Sequence, residues 1–465
     1  MNFLTKYKPF YKENLRLAFP VILSQLGQIT VQLADTAMVG HYGGDDPNPL
    51  AAVSYASNLF FIVFIAVMGV TFGLTPLVGE HYAKGNKAHA AKLLKNGAVL
   101  FTAISIATTL LLIALRPLFG KMGSIMIASG SDASITEVTD MALPYYDMLI
   151  WSLLPVMIWG TVKQFLEGIG NTRIAMVTII ISNSLNIFLN WVLIYGKLGA
   201  PQLGVTGGAW ATFISRIVAA ALFIVLLFKV EEYNKYLKFI SGKIISLKMV
   251  KEQLRLSIPI SLQSTLEVTA FSLAAIMVGW LGKYELAAHQ VAQSLSTFTF
   301  LIATGIGAAA TIRVSHQYGS GNFHETEMAG KASVHIAVAF MSFCGILFIA
   351  FKSLLPFAFT EDPNVIPIAE DLIVILALFQ IFDATQLASL SSLRGLKDIK
   401  IPLLFSLIAY YLICLPVAYL LGFKAGLGPT GVWIGLAAGL AIAAITFYLR
   451  FLSICKKMNP NKNEI

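Results

Sequence analysis

The stretch LRLAFPVILSQLGQITVQLADTAMVG, Leu15–Gly40, decides how this chain is read. At about 1.5 Å per residue it is long and apolar enough to cross a bilayer as a helix. Within it Gln25, Gln28, Gln32 and Asp35 recur at spacings of three and four, along one helix face. A carboxylate in hydrocarbon costs about 2.5 kcal/mol or more, so Asp35 must face protein, water or a bound cation. Glutamines alone would read as polar glue between helices. With Asp35 closing the stripe, a cation or substrate site is the expectation.

The stretch returns as LRLSIPISLQSTLEVTAFSLAAIMVG, Leu254–Gly279. In the second copy Glu267 stands where Gln28 stands in the first, and Ala274 where Asp35 stands. Leu50-Ala51-Ala52 is echoed by Leu286-Ala287-Ala288. His81-Tyr82 with Gly85-Asn86 is echoed by Gln317-Tyr318 with Gly321-Asn322, and Glu167-Gly168 by Arg394-Gly395. A single long period of this kind means two homologous halves rather than a solenoid. Many secondary transporters are built from such halves, with the site between or inside them. Each half carries its carboxylates at different places.

Composition narrows the class. Hydrophobic residues make up 57% of the 465 and charged residues only 12%, against roughly 25% charged in a soluble domain. Repeated apolar runs predict an all-α polytopic membrane protein with spans near 15–40, 51–79, 93–116, 143–165, 174–196, 205–228, 254–280, 287–312, 332–355, 368–393, 401–423 and 429–452. The expected organisation is a first six-helix lobe over 1–228, a linker over 229–253 and a second lobe over 254–465. Of the 33 Lys and Arg residues, only Arg116, Lys121, Lys197, Lys283, Lys352 and Lys424 fall opposite the termini, and Arg216 lies within a span. That bias predicts both termini in the cytoplasm, and it assigns the net charge of +9 to membrane orientation rather than nucleic acid. The start, MNFLTKYKPFYKEN, lacks the short apolar core of a removable signal. The basic linker, with Tyr233, Tyr236, Leu237, Phe239 and Ile240 among lysines, reads as amphipathic, suited either to lying on headgroups or to serving as a simple connection. Cys344, Cys414 and Cys455 lie in or beside apolar runs and read as packing residues.

Polar groups inside the spans mark candidate chemistry. Asn183, Asn186 and Asn190 share a face in the fifth span, where their amides can bind a neighbouring helix, orient a carboxylate or offer oxygens to a hard cation. Glu267 sits mid-span with Gln263 one turn before it, and Asp383 sits mid-span between Gln380 and Gln386. Two such carboxylates in one half could share a wet cavity and exchange a proton for an organic cation. Arg216 could pair with Asp35 or snorkel to the inner face. Pro20 and Pro259, matched across the repeat, are expected to kink or start their spans, and Pro416 to bend the eleventh.

Leu17–Pro20, Asp35–Gly40, Leu185-Asn186, Leu189-Asn190-Trp191, Glu267-Val268-Thr269, Ala287–Ala292, Asp383-Ala384 and Leu393-Arg394-Gly395 together resemble the multidrug and toxic compound extrusion (MATE) family, NorM-like branch. The resemblance implies twelve transmembrane helices in two pseudo-symmetric six-helix lobes around a central cavity. It implies antiport, in which inward flow of sodium ions or protons drives export of bulky, often cationic and aromatic compounds. By the same matching, Asp35 with Asn186 and Asn190 would form one cation site, and Glu267 with Asp383 the other. Asp35, Glu267 and Asp383 would be the sodium ligands if sodium is the ion. Gln28, Gln32, Gln263, Gln290 and Phe379 would meet the substrate. Phe379 stands where relatives can carry Tyr, which points to a proton at the second site. The expected partners are small organic cations and membrane lipids, with no cofactor beyond the coupling ion, and the expected state is a monomer in a bacterial inner membrane. The 31 Phe, 16 Tyr and 14 Met suit a loose aromatic pocket. A flippase for a lipid-linked saccharide is the alternative, but it would want a basic cavity, and only Arg216 fits. An enzyme is disfavoured, for the chain has neither HExxH nor a Walker A motif.

Overall fold

In a computed structural model of the chain, residues 3–44, 46–126, 132–239 and 245–459 are described. Ile240, used above in the linker reading, lies outside them, as do Asp45, Lys243 and Lys462. Among the described residues there are twelve helical spans: α1 Thr5–Gly43, α2 Asn48–Ala83, α3 Lys87–Phe119, α4 Glu137–Gly168, α5 Thr172–Tyr195, α6 Gly204–Lys229, α7 Leu247–Leu281, α8 Lys283–Gly319, α9 Phe323–Ala350, α10 Ile366–Gly395, α11 Lys400–Lys424 and α12 Gly428–Met458. No strand occurs among the described residues. The end of the bundle that carries both chain termini is called basal here, the opposite end apical.

The count and order match expectation, but several helices overrun the apolar runs. The helix of α1 begins at Phe3 and that of α7 at Leu247. Hydropathy marks the membrane-length part of a helix, whereas Lys and Glu propagate a helix into water without ending it. Pro20 and Pro259 therefore lie inside continuous helices and do not start them. In α11 Pro416 is flanked by two π-helical stretches, Ile408–Cys414 and Leu420–Lys424. A proline lacks the N–H and crowds the carbonyl one turn back, so the ladder widens around it.

The duplication is visible in atomic detail. In the first half Gly168 packs on Val78 and the Thr75 carbonyl; in the second, Gly395 packs on Val314 and the Thr311 carbonyl. The Thr75 hydroxyl donates to the Gln164 carbonyl at 3.1 Å, and Thr311 to the Ser391 carbonyl at 2.9 Å. A Cβ at Gly168 or Gly395 would stand 2.8–3.1 Å from these atoms, so the close approach of helix four to helix two in each lobe needs glycine there.

The basal halves of α1 and α7 cross onto the opposite lobe. Tyr7, Phe10 and Ala18 are buried in second-lobe cores, and Leu256 and Ile260 in the first-lobe core. Within the bilayer such contacts act through close packing rather than removal from water. Polar links follow the same seam. Asn14 donates to the Ala329 carbonyl at 3.0 Å and to Ser333 at 2.8 Å, and Gln253 to the Leu93 carbonyl at 2.7 Å. Glu80 of α2 pairs with Lys84 and, across the seam, with Lys397. His316 of α8 makes the counterpart contact, Nε2 to the Gly168 carbonyl at 2.7 Å. Lys397 holds a left-handed backbone (φ 62°) where the first half has Gly170 (φ 84°). That conformation costs a non-glycine residue about 1–2 kcal/mol, which the ion pair to Glu80 helps offset. Among the described residues, hydrogen bonds between lobes reach no further apically than Gln25–Thr304 and Ser261–Ala66. The lobes are thus joined basally and unjoined by polar contacts apically.

The linker departs from expectation. Its helix, Glu231–Leu237, buries Tyr233 and Tyr236 in the first-lobe core. Tyr233 bonds Asn171, and Tyr236 meets Phe165 edge-on at 5.2 Å. These rings are claimed by protein, so they are not free to lie on headgroups.

Candidate functional site

The first constellation lies within the first lobe, between α1, α5 and α6. Asn190 donates to the Asp35 carboxylate and, at 3.1 Å, to the Asn186 carbonyl oxygen. Asn186 donates in turn to Thr212 at 3.3 Å and Ser215 at 3.4 Å on α6. The i,i+4 spacing of the two asparagines places both amides on the face of α5 that meets α1. Asn186 and Asn190 are buried and Asp35 is partly open. The Asn190 carbonyl oxygen is buried without a partner. A carboxylate with an unpaired amide oxygen beside it is a hard-oxygen donor set, the kind a small cation or a hydrated proton takes. Asn183 lies a turn back against Gly27 of α1, where a built Cβ would stand 3.0 Å from its amide nitrogen.

Arg216 does neither of the things expected of it. It makes no ion pair with Asp35 within 4.0 Å among the described residues. Its guanidinium donates to Ser152 and lies over the rings of Phe60 and Phe64, 5.8 and 5.4 Å from their centroids. Two ring faces and a hydroxyl hold it within the lobe, so it does not snorkel.

The second constellation joins α7, α10 and α11. Tyr410 donates to Glu267 at 3.0 Å and accepts from Gln386 at 3.1 Å. Asp383 is 4% exposed and has no hydrogen bond or ion pair among the described residues. Both polar atoms of Gln380, and the carbonyl oxygen of Gln386, are buried without a partner. Unsatisfied buried polar atoms are rare, and they cluster here around a carboxylate. Tyr410 was missed by sequence reading. It sits in the π-helical stretch, whose widened turn breaks the spacing that places residues on a helix face. Arg394, one residue beyond the tenth span expected from hydropathy, reaches inward to Gln263 at 3.3 Å and Ser264 at 3.4 Å.

Of the residues expected to meet substrate, Gln28, Gln32 and Gln290 are exposed. Gln263 is buried, with its amide nitrogen on Ser406 at 2.8 Å and its oxygen on Arg394. Phe379 is 2% exposed and packs against Phe271 and Trp433. Those two belong to the interior of the second lobe rather than to an open surface. His289, which opens α8, accepts from the Trp433 indole at 3.1 Å. A cavity of about 970 Å³ at the apical end of the first lobe is lined by Tyr42, Asp46, Glu137 and Asp140 and includes none of the three membrane carboxylates.

Replacing Tyr410 by Phe would strip Glu267 and Gln386 of one partner each. The expected cost is about 1–3 kcal/mol of stability, read as a fall in the thermal midpoint of the detergent-solubilised protein. An unchanged midpoint would show that water already serves both groups.

The MatE family model matches residues 20–192 and 259–420 of this chain. The chain belongs to that family. A relative from Agrobacterium fabrum, "Probable multidrug resistance protein NorM", is 32% identical over 96% of this chain and 94% of its own length. One of the same name from Halalkalibacterium halodurans is 30% identical over 95% and 94%. The fold is similar to a solved outward-facing conformation of a multidrug resistance MATE family transporter (TM-score 0.85, 22% identity, 97% of each chain). It is also similar to the eukaryotic MATE transporter AtDTX14 (TM-score 0.84, 22% identity, 98% of this chain and 99% of the other). The chain is a multi-pass membrane transporter of two lobes.

Proposed function

We propose that this MATE transporter is a cation-coupled multidrug antiporter of the cell membrane, with both termini cytoplasmic, exporting organic and often cationic aromatic compounds by alternating access. The observation that carries the reading is the Asp35–Asn190–Asn186 chain with its unpaired carbonyl oxygen inside an otherwise apolar lobe. A charge kept there without a basic group in direct ion pair is tolerable when a mobile cation shares the site. The Glu267–Tyr410–Gln386 chain beside Asp383 is the second such place, and the coupling ion is sodium or a proton. With the basal end cytoplasmic, the basal seam closes the inner side and leaves the cleft to face outward. The relatives' names, multidrug resistance proteins, support a drug-like cargo. The lipid-saccharide alternative gains nothing, because a diphosphate needs cations facing the cleft and Arg216 is held by Ser152 and two phenylalanines.

The test is ethidium-type dye movement in reconstituted vesicles under a sodium gradient alone, then a proton gradient alone. One gradient is expected to drive export and the other not; dye movement under neither overturns the antiport reading. In the same assay Glu267→Gln and Asp383→Asn are each expected to weaken the response to the driving ion by about 5–150-fold, the range of ordinary coupling energies. Wild-type ion dependence in both variants would remove the second-lobe site from coupling.

A further inference from the structure

We propose that His81, His89 and Glu252 form a binding site for a divalent transition metal of the zinc type, and that the bound metal clamps the basal seam shut. His81 ends α2, His89 lies in the first turns of α3, and Glu252 lies in the first turns of α7, from the other half of the chain. One ligand atom from each falls within 4.8 Å of the others, and no other such group of three occurs among the described residues. Four-coordinate zinc at bond lengths near 2.0–2.1 Å wants its ligand atoms roughly 3.3–3.4 Å apart and in the plane of each ring that binds it, so one imidazole must swing out of its stack with the other to close the set. The two imidazoles are stacked, centroids 3.7 Å apart and 26° between planes. His81 Nδ1 and His89 Nε2 are both buried with no hydrogen-bond partner. A ring nitrogen that has left water normally finds a partner; here two are left over, with a carboxylate alongside. Two imidazoles and one carboxylate suit a borderline-soft dication and leave a fourth position for water.

The turn between α2 and α3 is already rigid around the site. Asn86 accepts the His89 backbone N–H at 3.0 Å, and Gly85 turns with φ 70°. Glu80 with Lys84 and Lys397, and Lys92 and Lys248, are the other charged groups facing the cluster. The site is separate from the membrane carboxylates. Its ligands come together only while the base of α7 rests on the first lobe, so metal binding favours the seam-closed state by its differential affinity. This consequence rests on the alternating-access reading; the binding does not.

Isothermal titration of zinc chloride into tag-free detergent-solubilised protein is the test. One metal per chain is expected, weakened at least tenfold by His89→Gln and by Glu252→Gln, with the thermal midpoint of the metal-free variants unchanged. No binding, or equal binding by the variants, overturns the site. In everted vesicles zinc added to the exposed cytoplasmic face is expected to slow dye export by the parent and not by His89→Gln. Zinc binding with no such slowing overturns the clamp. Zinc binding by a chain that moves dye under no gradient would sink the antiport reading and leave the metal site standing.

Discussion

Asp35→Asn is expected to abolish ion-driven export while leaving expression and thermal stability near those of the parent. The substitution keeps an oxygen that can accept from Asn190, so the bond between α1 and α5 survives in form. What it removes is the negative charge. Arg216 forms no ion pair with Asp35, being held by Ser152 and the rings of Phe60 and Phe64, although its charge acts on Asp35 through space. The loss should therefore appear in transport and not in folding. Dye export from vesicles under the driving gradient measures the first effect, and the detergent-state thermal midpoint the second. Export at the parent's rate would remove Asp35 from the mechanism.

Gly305→Val is expected to have the second largest effect, through the seam and not through any ion site. A Cβ at Gly305 would stand 2.4 Å from a side-chain carbon of Ile22 and 2.9 Å from its backbone nitrogen. The side chain could turn away, but the backbone of α1 would have to retreat. Overpacking of this kind costs about 1–3 kcal/mol. That cost falls only on the state in which α8 and α1 touch here. The balance between seam-closed and seam-open states should then move by about 5–150-fold, and export should fall accordingly. A direct readout is Ser257, fully buried where α7 meets Gly73 of α2. With Cys344, Cys414 and Cys455 replaced by Ser, Ser257→Cys should resist a membrane-impermeant thiol reagent in the parent and react in the Gly305→Val background. An unreactive Ser257→Cys together with full export would show that the contact does not govern the seam.

The same contrast between charge and packing separates what could be read from the chain from what could not. Asp35, Asn186 and Asn190 were legible because α1 and α5 are regular helices. Spacing alone then tells which residues share a face, and a charge among apolar residues announces itself. Tyr410 was not legible, since a π-helical turn beside Pro416 changes the angular step between residues. Gln263 and Phe379 carried the right chemistry for a substrate surface. Whether a polar or aromatic side chain faces a cleft or a neighbour depends on what lies opposite, and opposite them lie Ser406 with Arg394, and Trp433 with Phe271. The linker tyrosines misled for the same reason, since an amphipathic stretch fits a lipid surface and a protein groove equally well.

By itself the sequence determined the twelve spans, the duplication and the presence of acids within the spans. These follow from hydropathy, period and residue type, all properties of one helix at a time. Only the tertiary structure decided that α1 and α7 cross to the opposite lobe, that the seam is basal, and that His81, His89 and Glu252 meet. Such contacts join residues far apart in the chain, and no local pattern encodes which surfaces will fit one another.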